Sequence, residues 1–151
     1  MNRSLFVVLF VAATLAAAPW ARAQNVAESA QLRAAILRGI RDDAPPAPLL
    51  FIYDIDKESG VGQQVSAIAN IPARGRSASE RVLVPGGDTV AVRVTVDALG
   101  EATAVATIDL WGTVRRPSAK GPTSWFVRRR ADLVRQRGAW VLQKLTTVME
   151  S

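Results

Sequence analysis

The chain has 151 residues, with 19 Lys and Arg against 13 Asp and Glu, and it contains neither His nor Cys. The missing imidazole removes His general bases, most zinc sites, and every Ser-His-Asp or Cys-His arrangement. With no Cys there is no disulfide, so apolar burial has to stabilise the fold.

The first segment reads as a secretory signal peptide. Arg3 gives a short positive start, Leu5 to Ala18 is a 14-residue run of apolar and small residues, and Ala21-Arg22-Ala23 is a small-x-small cleavage site. That run is shorter than the roughly 20 apolar residues a spanning helix needs, so cleavage before Gln24 is expected rather than an anchor. Residues 1–23 are thus the leader and 24–151 a single domain with one core. Removing Arg3 and Arg22 leaves 17 basic residues against 13 acidic ones, most of the basic ones Arg. The expected compartment is periplasmic or extracellular. Nucleic acid is not an expected partner there; lipid headgroups, cell-wall polymers or another protein are the candidate anionic contacts.

Asn25 to Arg41 has a helical pattern. Asn25 with Glu28 three residues on suits a capping box, and Leu32, Ile36, Leu37 and Ile40 make one apolar stripe. Arg33, Arg38 and Arg41 lie off the stripe or near its C-terminal end, and Asp42-Asp43 with Pro45-Pro46 stop the helix. Leu49 to Ile55 favours a buried strand. Gln63 to Ala69 predicts a short helix burying Val65, Ile68 and Ala69, and Ala73 to Ser79 reads as a polar connection.

Period-two alternation then takes over. Arg81 to Val84 is a short strand stopped by Pro85-Gly86-Gly87. Asp88 to Asp97 puts Val90, Val92, Val94 and Val96 on one face, opposite Arg93, Thr95 and Asp97. After a turn at Leu99-Gly100, Ala102 to Arg115 buries Ala104, Ala106, Ile108 and Leu110. The terminal hairpin joins Ser124–Arg137 to Ala139–Met149. A two-residue turn at Arg137-Gly138 sets Gln136 opposite Ala139, Arg135 opposite Trp140, Val134 opposite Val141 and Leu133 opposite Leu142.

Three strings carry a family resemblance: Gly87-Asp88-Thr89-Val90-Ala91-Val92, Arg130-Ala131-Asp132-Leu133-Val134-Arg135, and Gly138-Ala139-Trp140-Val141-Leu142. With a helix first and long strands last, the chain resembles the nuclear transport factor 2-like superfamily. Those proteins have a cone-shaped α+β fold shared with polyketide cyclases and ketosteroid isomerases. The resemblance implies an N-terminal helix, or helices, packed on a curved, mainly antiparallel sheet ending in a long C-terminal hairpin. Residues 42–79 depart from the two further helices usual in that family.

Catalytic members of the family place an Asp, a His or a Tyr inside the cone. Here the catalytic candidates are Tyr53, as donor to an oxyanion, and Asp97 or Asp109 as general base. Each has a plainer reading: Tyr53 suits a core position, and Arg93 falls directly or diagonally opposite Asp109 as a cross-strand ion pair. Tyr53, Trp111 and Trp125 are the candidate ligand-binding residues, with Trp111 at a pocket rim or packed in the sheet. Asp54, Asp56 and Glu58 lack the spacing of a calcium loop, and no metal or other cofactor is called for. In Arg128-Arg129-Arg130, the outer two share one side and Arg129 takes the other, so the run is not one patch. A solvated basic face is expected there, with contact to an anionic surface as the alternative.

Two function classes follow. The favoured one is an exported, non-catalytic module that binds a small apolar ligand or a partner protein through the cone or the open sheet face, where a homodimer can also form. The other is a small cofactor-free lyase or isomerase acting inside the cone. A buried, unpaired carboxylate within reach of Tyr53 would mark the enzyme.

Overall fold

The computed structural model describes residues 19–43, 47–77, 79–80, 87–118 and 120–151. Most of the expected leader, the expected strand Arg81–Val84 and the Pro45-Pro46 helix stop lie outside these residues. The order is α1 (Pro19–Asp43), β1 (Leu49–Asp54), α2 (Ile55–Ala69), β2 (Ala73–Arg76), β3 (Val90–Leu99), β4 (Thr103–Arg115), β5 (Pro122–Gln136) and β6 (Ala139–Glu150). This is an α+β fold with two helices against one six-stranded sheet, ordered β2-β1-β3-β4-β5-β6. β1 is parallel to both β2 and β3; every other pairing is antiparallel. No helix among the described residues is long and apolar enough to cross a membrane.

Both helices share a core with one face of the sheet. Leu32, Ile36, Leu37 and Ile40 of α1 are fully buried there with Phe51, Val65, Val92, Val94, Ile108 and Leu133. Burying each of the four α1 side chains is worth roughly 1.5–3 kcal/mol, so the stripe is what holds the helix down. Ala104, Ala106 and Ala131 belong to the same core.

The terminal hairpin has the register the alternation predicts, from Gln136 opposite Ala139 to Leu133 opposite Leu142. Arg137 and Gly138 both have positive φ, 51° and 80°, the backbone of a tight two-residue turn, and glycine adopts it without strain. The Arg135 guanidinium lies 4.6 Å from the Trp140 ring centroid, a cation–π contact. Arg93 stands directly opposite Asp109.

Four expectations need correction. Asn25 is not a helix cap, because α1 begins upstream of it at Pro19, and Glu28 instead accepts from Arg135 of β5 at the surface. Arg33 lies off the apolar stripe but is buried all the same, donating to Ser29 and to Glu58 of α2. Ala73–Arg76 is not a connection but an edge strand, paired residue for residue with Phe51–Asp54. Helix α2 starts at Ile55, eight residues before the expected Gln63, because Asp54 caps it by accepting a 2.9 Å bond from the Asp56 amide. It buries Val65 and Ala69 but leaves Ile68 41% exposed.

Candidate functional site

The two faces of the sheet have different chemistry. On the helix-covered face, the end of α1 and the ends of β1, β3, β4 and β5 leave an apolar cleft of about 160 Å³. Its walls are Ile40, Ala47, Leu49, Val90, Leu110, Trp125 and Val127, with Arg129 at one side. A second, wider depression of about 450 Å³ shares Ala47, Val90 and Trp125 with it and continues along Gly87–Thr89 and Thr113–Arg115. Alternation creates this lining. Leu110 faces Val127 across the β4–β5 ladder, Gly112 faces Trp125, and Ile108 faces Arg129, all on the helix side. The Trp125 indole lies over Gly112, where there is no side chain to displace it.

The opposite face carries the ion pairs of Asp109. Asp109 is 4% exposed and holds two guanidinium groups. Arg93 donates from β3 at 2.8 Å, and Arg128 donates from β5 at 2.7 and 3.1 Å. Burial alone would push the Asp109 carboxyl up, but hydrogen bonds and charge from Arg128 and Arg93 together outweigh it and hold it below the ordinary carboxylate range. Asp109 in turn holds the Arg128 guanidinium up. A carboxylate kept ionised by two cations is a weak proton acceptor. An open depression of about 380 Å³ beside it is lined by Arg93, Asp109, Trp111, Ser124, Trp125 and Phe126. Trp111 is 6% exposed there, packed with Ile52 and Ala91 against Leu50 and Phe126.

The catalytic candidates are therefore not brought together. Asp97 occupies a bulge in β3, between Val96 and Ala98, and accepts a 2.7 Å bond from the Thr107 hydroxyl on the ion-pair face. Tyr53 is on the other face, packed with Phe51 and part of the helix-side core. Its ring fills the space over Gly62 of α2, where a β-carbon would come within 2.3 Å of it. Of the three ligand candidates, Trp125 borders both the cleft and the outer depression, Trp111 borders the outer depression, and Tyr53 lines neither.

The remaining charged residues are placed by pairing. Glu58 turns to Arg33, while Asp54 serves as the α2 cap. Arg128 goes to Asp109, Arg130 to Asp132 at 3.1 Å, and Arg129 to Asp43 at 3.0 Å on the helix side. The alternation expected of the arginine run holds, with each guanidinium drawn to its own carboxylate.

Ile40, Leu49, Leu110, Val127 and Arg129 were not site candidates in the sequence. Apart from the alternation that puts the two β5 residues on one side, nothing local distinguishes them; their convergence depends on strand order. No family model, curated protein or solved structure matches this chain.

Proposed function

We propose that this chain is an exported module of the nuclear transport factor 2-like kind that binds a small apolar ligand without transforming it. The observation that carries the reading is the cleft between α1 and the sheet, walled by six aliphatic side chains and the Trp125 indole. Pockets of this composition bind apolar molecules by removing them from water, with few polar groups to orient them. The arrangement of acids supports binding over catalysis. Asp97 and Asp109 lie across the sheet from the cleft, and Asp109 is tied to two arginines. The leader pattern before Gln24 supports export, and a single helix-and-sheet layer ending in a long hairpin supports the family.

The test uses residues 24–151 and decan-1-ol as a neutral apolar probe, followed by tryptophan emission. Saturable binding by the native chain, weakened at least tenfold in Trp125→Ala with its fold intact by circular dichroism, is the expected result. No saturable binding up to the solubility of decanol, or equal binding by Trp125→Ala, would sink the proposal. Export is checked by N-terminal sequencing of the protein from a periplasmic fraction, which should begin at Gln24. Protein retaining Met1 in the membrane fraction would contradict it.

A further inference from the structure

We infer that the cleft ligand carries a carboxylate, which Arg129 receives. The inference rests on the binding reading above and adds the head group to it. Arg129 borders an otherwise apolar cleft, on the same face as Leu110 and Val127. Its position beneath the helices is not required by packing, because the neighbouring register positions on that side of β5 are apolar: Trp125, Val127, Ala131 and Leu133. A guanidinium offers five donors in a planar fork that fits a carboxylate with two parallel bonds. In this structure one terminal nitrogen goes to Asp43, while the buried Nε has no hydrogen-bond partner among the described residues. A buried donor left unpaired is costly, and a ligand oxygen that reaches it removes that cost.

The present partner is a weak competitor. Asp43 has a side chain 63% exposed to water, so its attraction for Arg129 is screened. It is also the last residue of α1, where the helix dipole disfavours negative charge. A carboxylate carried into the cleft on an apolar chain meets Arg129 away from bulk water, where the attraction is stronger. Ligand binding then exchanges the exposed pair Arg129–Asp43 for a sheltered one and leaves Asp43 to the solvent. The class that fits is an amphiphilic monocarboxylate: an aliphatic or compact apolar body with one terminal acid.

The test compares decanoate, decan-1-ol and decyltrimethylammonium on residues 24–151, by tryptophan emission and by calorimetry at fixed salt. Decanoate should bind at least tenfold tighter than decanol, and decyltrimethylammonium weakest. Arg129→Gln should abolish the preference for decanoate over decanol. Asp43→Asn alters an exposed position away from the core and should tighten decanoate several-fold without affecting decanol. Equal affinities for decanoate and decanol in the native chain would overturn the head-group inference and leave the apolar reading standing, as would an unchanged preference in Arg129→Gln. Failure of every probe to bind would remove both.

Discussion

Replacing Glu58 with Leu should be among the most damaging single changes in this protein, although Glu58 lies outside the cleft and meets the sheet only by accepting a 3.3 Å bond from the Asp54 amide at the end of β1. Glu58 reaches from α2 to Arg33 of α1, whose side chain is only 8% exposed. Removing the acid leaves a guanidinium enclosed between two helices, its Nε already without a partner among the described residues. Breaking a buried pair from one side costs about 3–5 kcal/mol. The bond from Arg33 to Ser29 survives the change and favours the lower end of that range. For a domain of this size, about 3 kcal/mol corresponds to a fall of roughly 10 °C in Tm. The double variant Arg33→Met/Glu58→Leu removes both charges and fills the gap with apolar volume, so it should recover most of the loss or exceed the native stability. Thermal and urea denaturation of residues 24–151, the two single variants Arg33→Met and Glu58→Leu, and the double variant, read by circular dichroism, gives the coupling energy directly. If Glu58→Leu costs less than about 1 kcal/mol, or the double variant is no better than the sum of the singles, Arg33 is not enclosed and the reasoning fails.

Three other changes test the sheet faces. Leu133→Asp, at a fully buried position opposite Leu142, should destabilise the domain by several kcal/mol, while Thr146→Asp on the exposed side of β6 should stay within about 0.5 kcal/mol; equal melting temperatures would mean the core lies on the other face. Asp109 has a folded-state pKa held below its ordinary value of 3.8. Its contribution is therefore full above about pH 4 and is lost as pH falls towards the lowered value. Asp109→Asn should flatten acid denaturation in that range, and an unchanged profile of stability against pH would show that the two arginines do not hold the carboxylate.

Much of the sheet was legible because alternation and one turn determine it. Once Arg137-Gly138 is recognised as the turn, every pair from Gln136–Ala139 to Leu133–Leu142 follows, and so does the separation of Arg129 from its neighbours. The opposition of Arg93 and Asp109 was legible for the same reason. What escaped depends on contacts between distant segments. Ala73-Arg74-Gly75-Arg76 has no strand propensity to speak of; it pairs because β1 offers it a parallel edge. Arg33 sits one position beyond the apolar stripe, and its burial is decided by where α2 crosses. The cleft was illegible for a similar reason: its walls come from α1 and four strands, and each residue taken alone is an ordinary core side chain.

The position of β6 has a consequence for how copies of this protein meet. It is the last strand in the sheet order, so among the described residues one side of a 12-residue backbone has no strand beside it. Val148 and Met149 also stand exposed near its end. A free, regular edge of that length is a template on which another chain can add a strand. This edge is not regular. The β5–β6 register shifts twice, between Arg128 and Arg129 and between Asp132 and Leu133, inserting Val148 and Gln143 as extra residues on β6. Each insertion kinks the strand and steepens its twist, so no long stretch stays straight enough to accept a neighbour. The irregularities that complicate the final ladder thus protect the molecule from lengthening its own sheet.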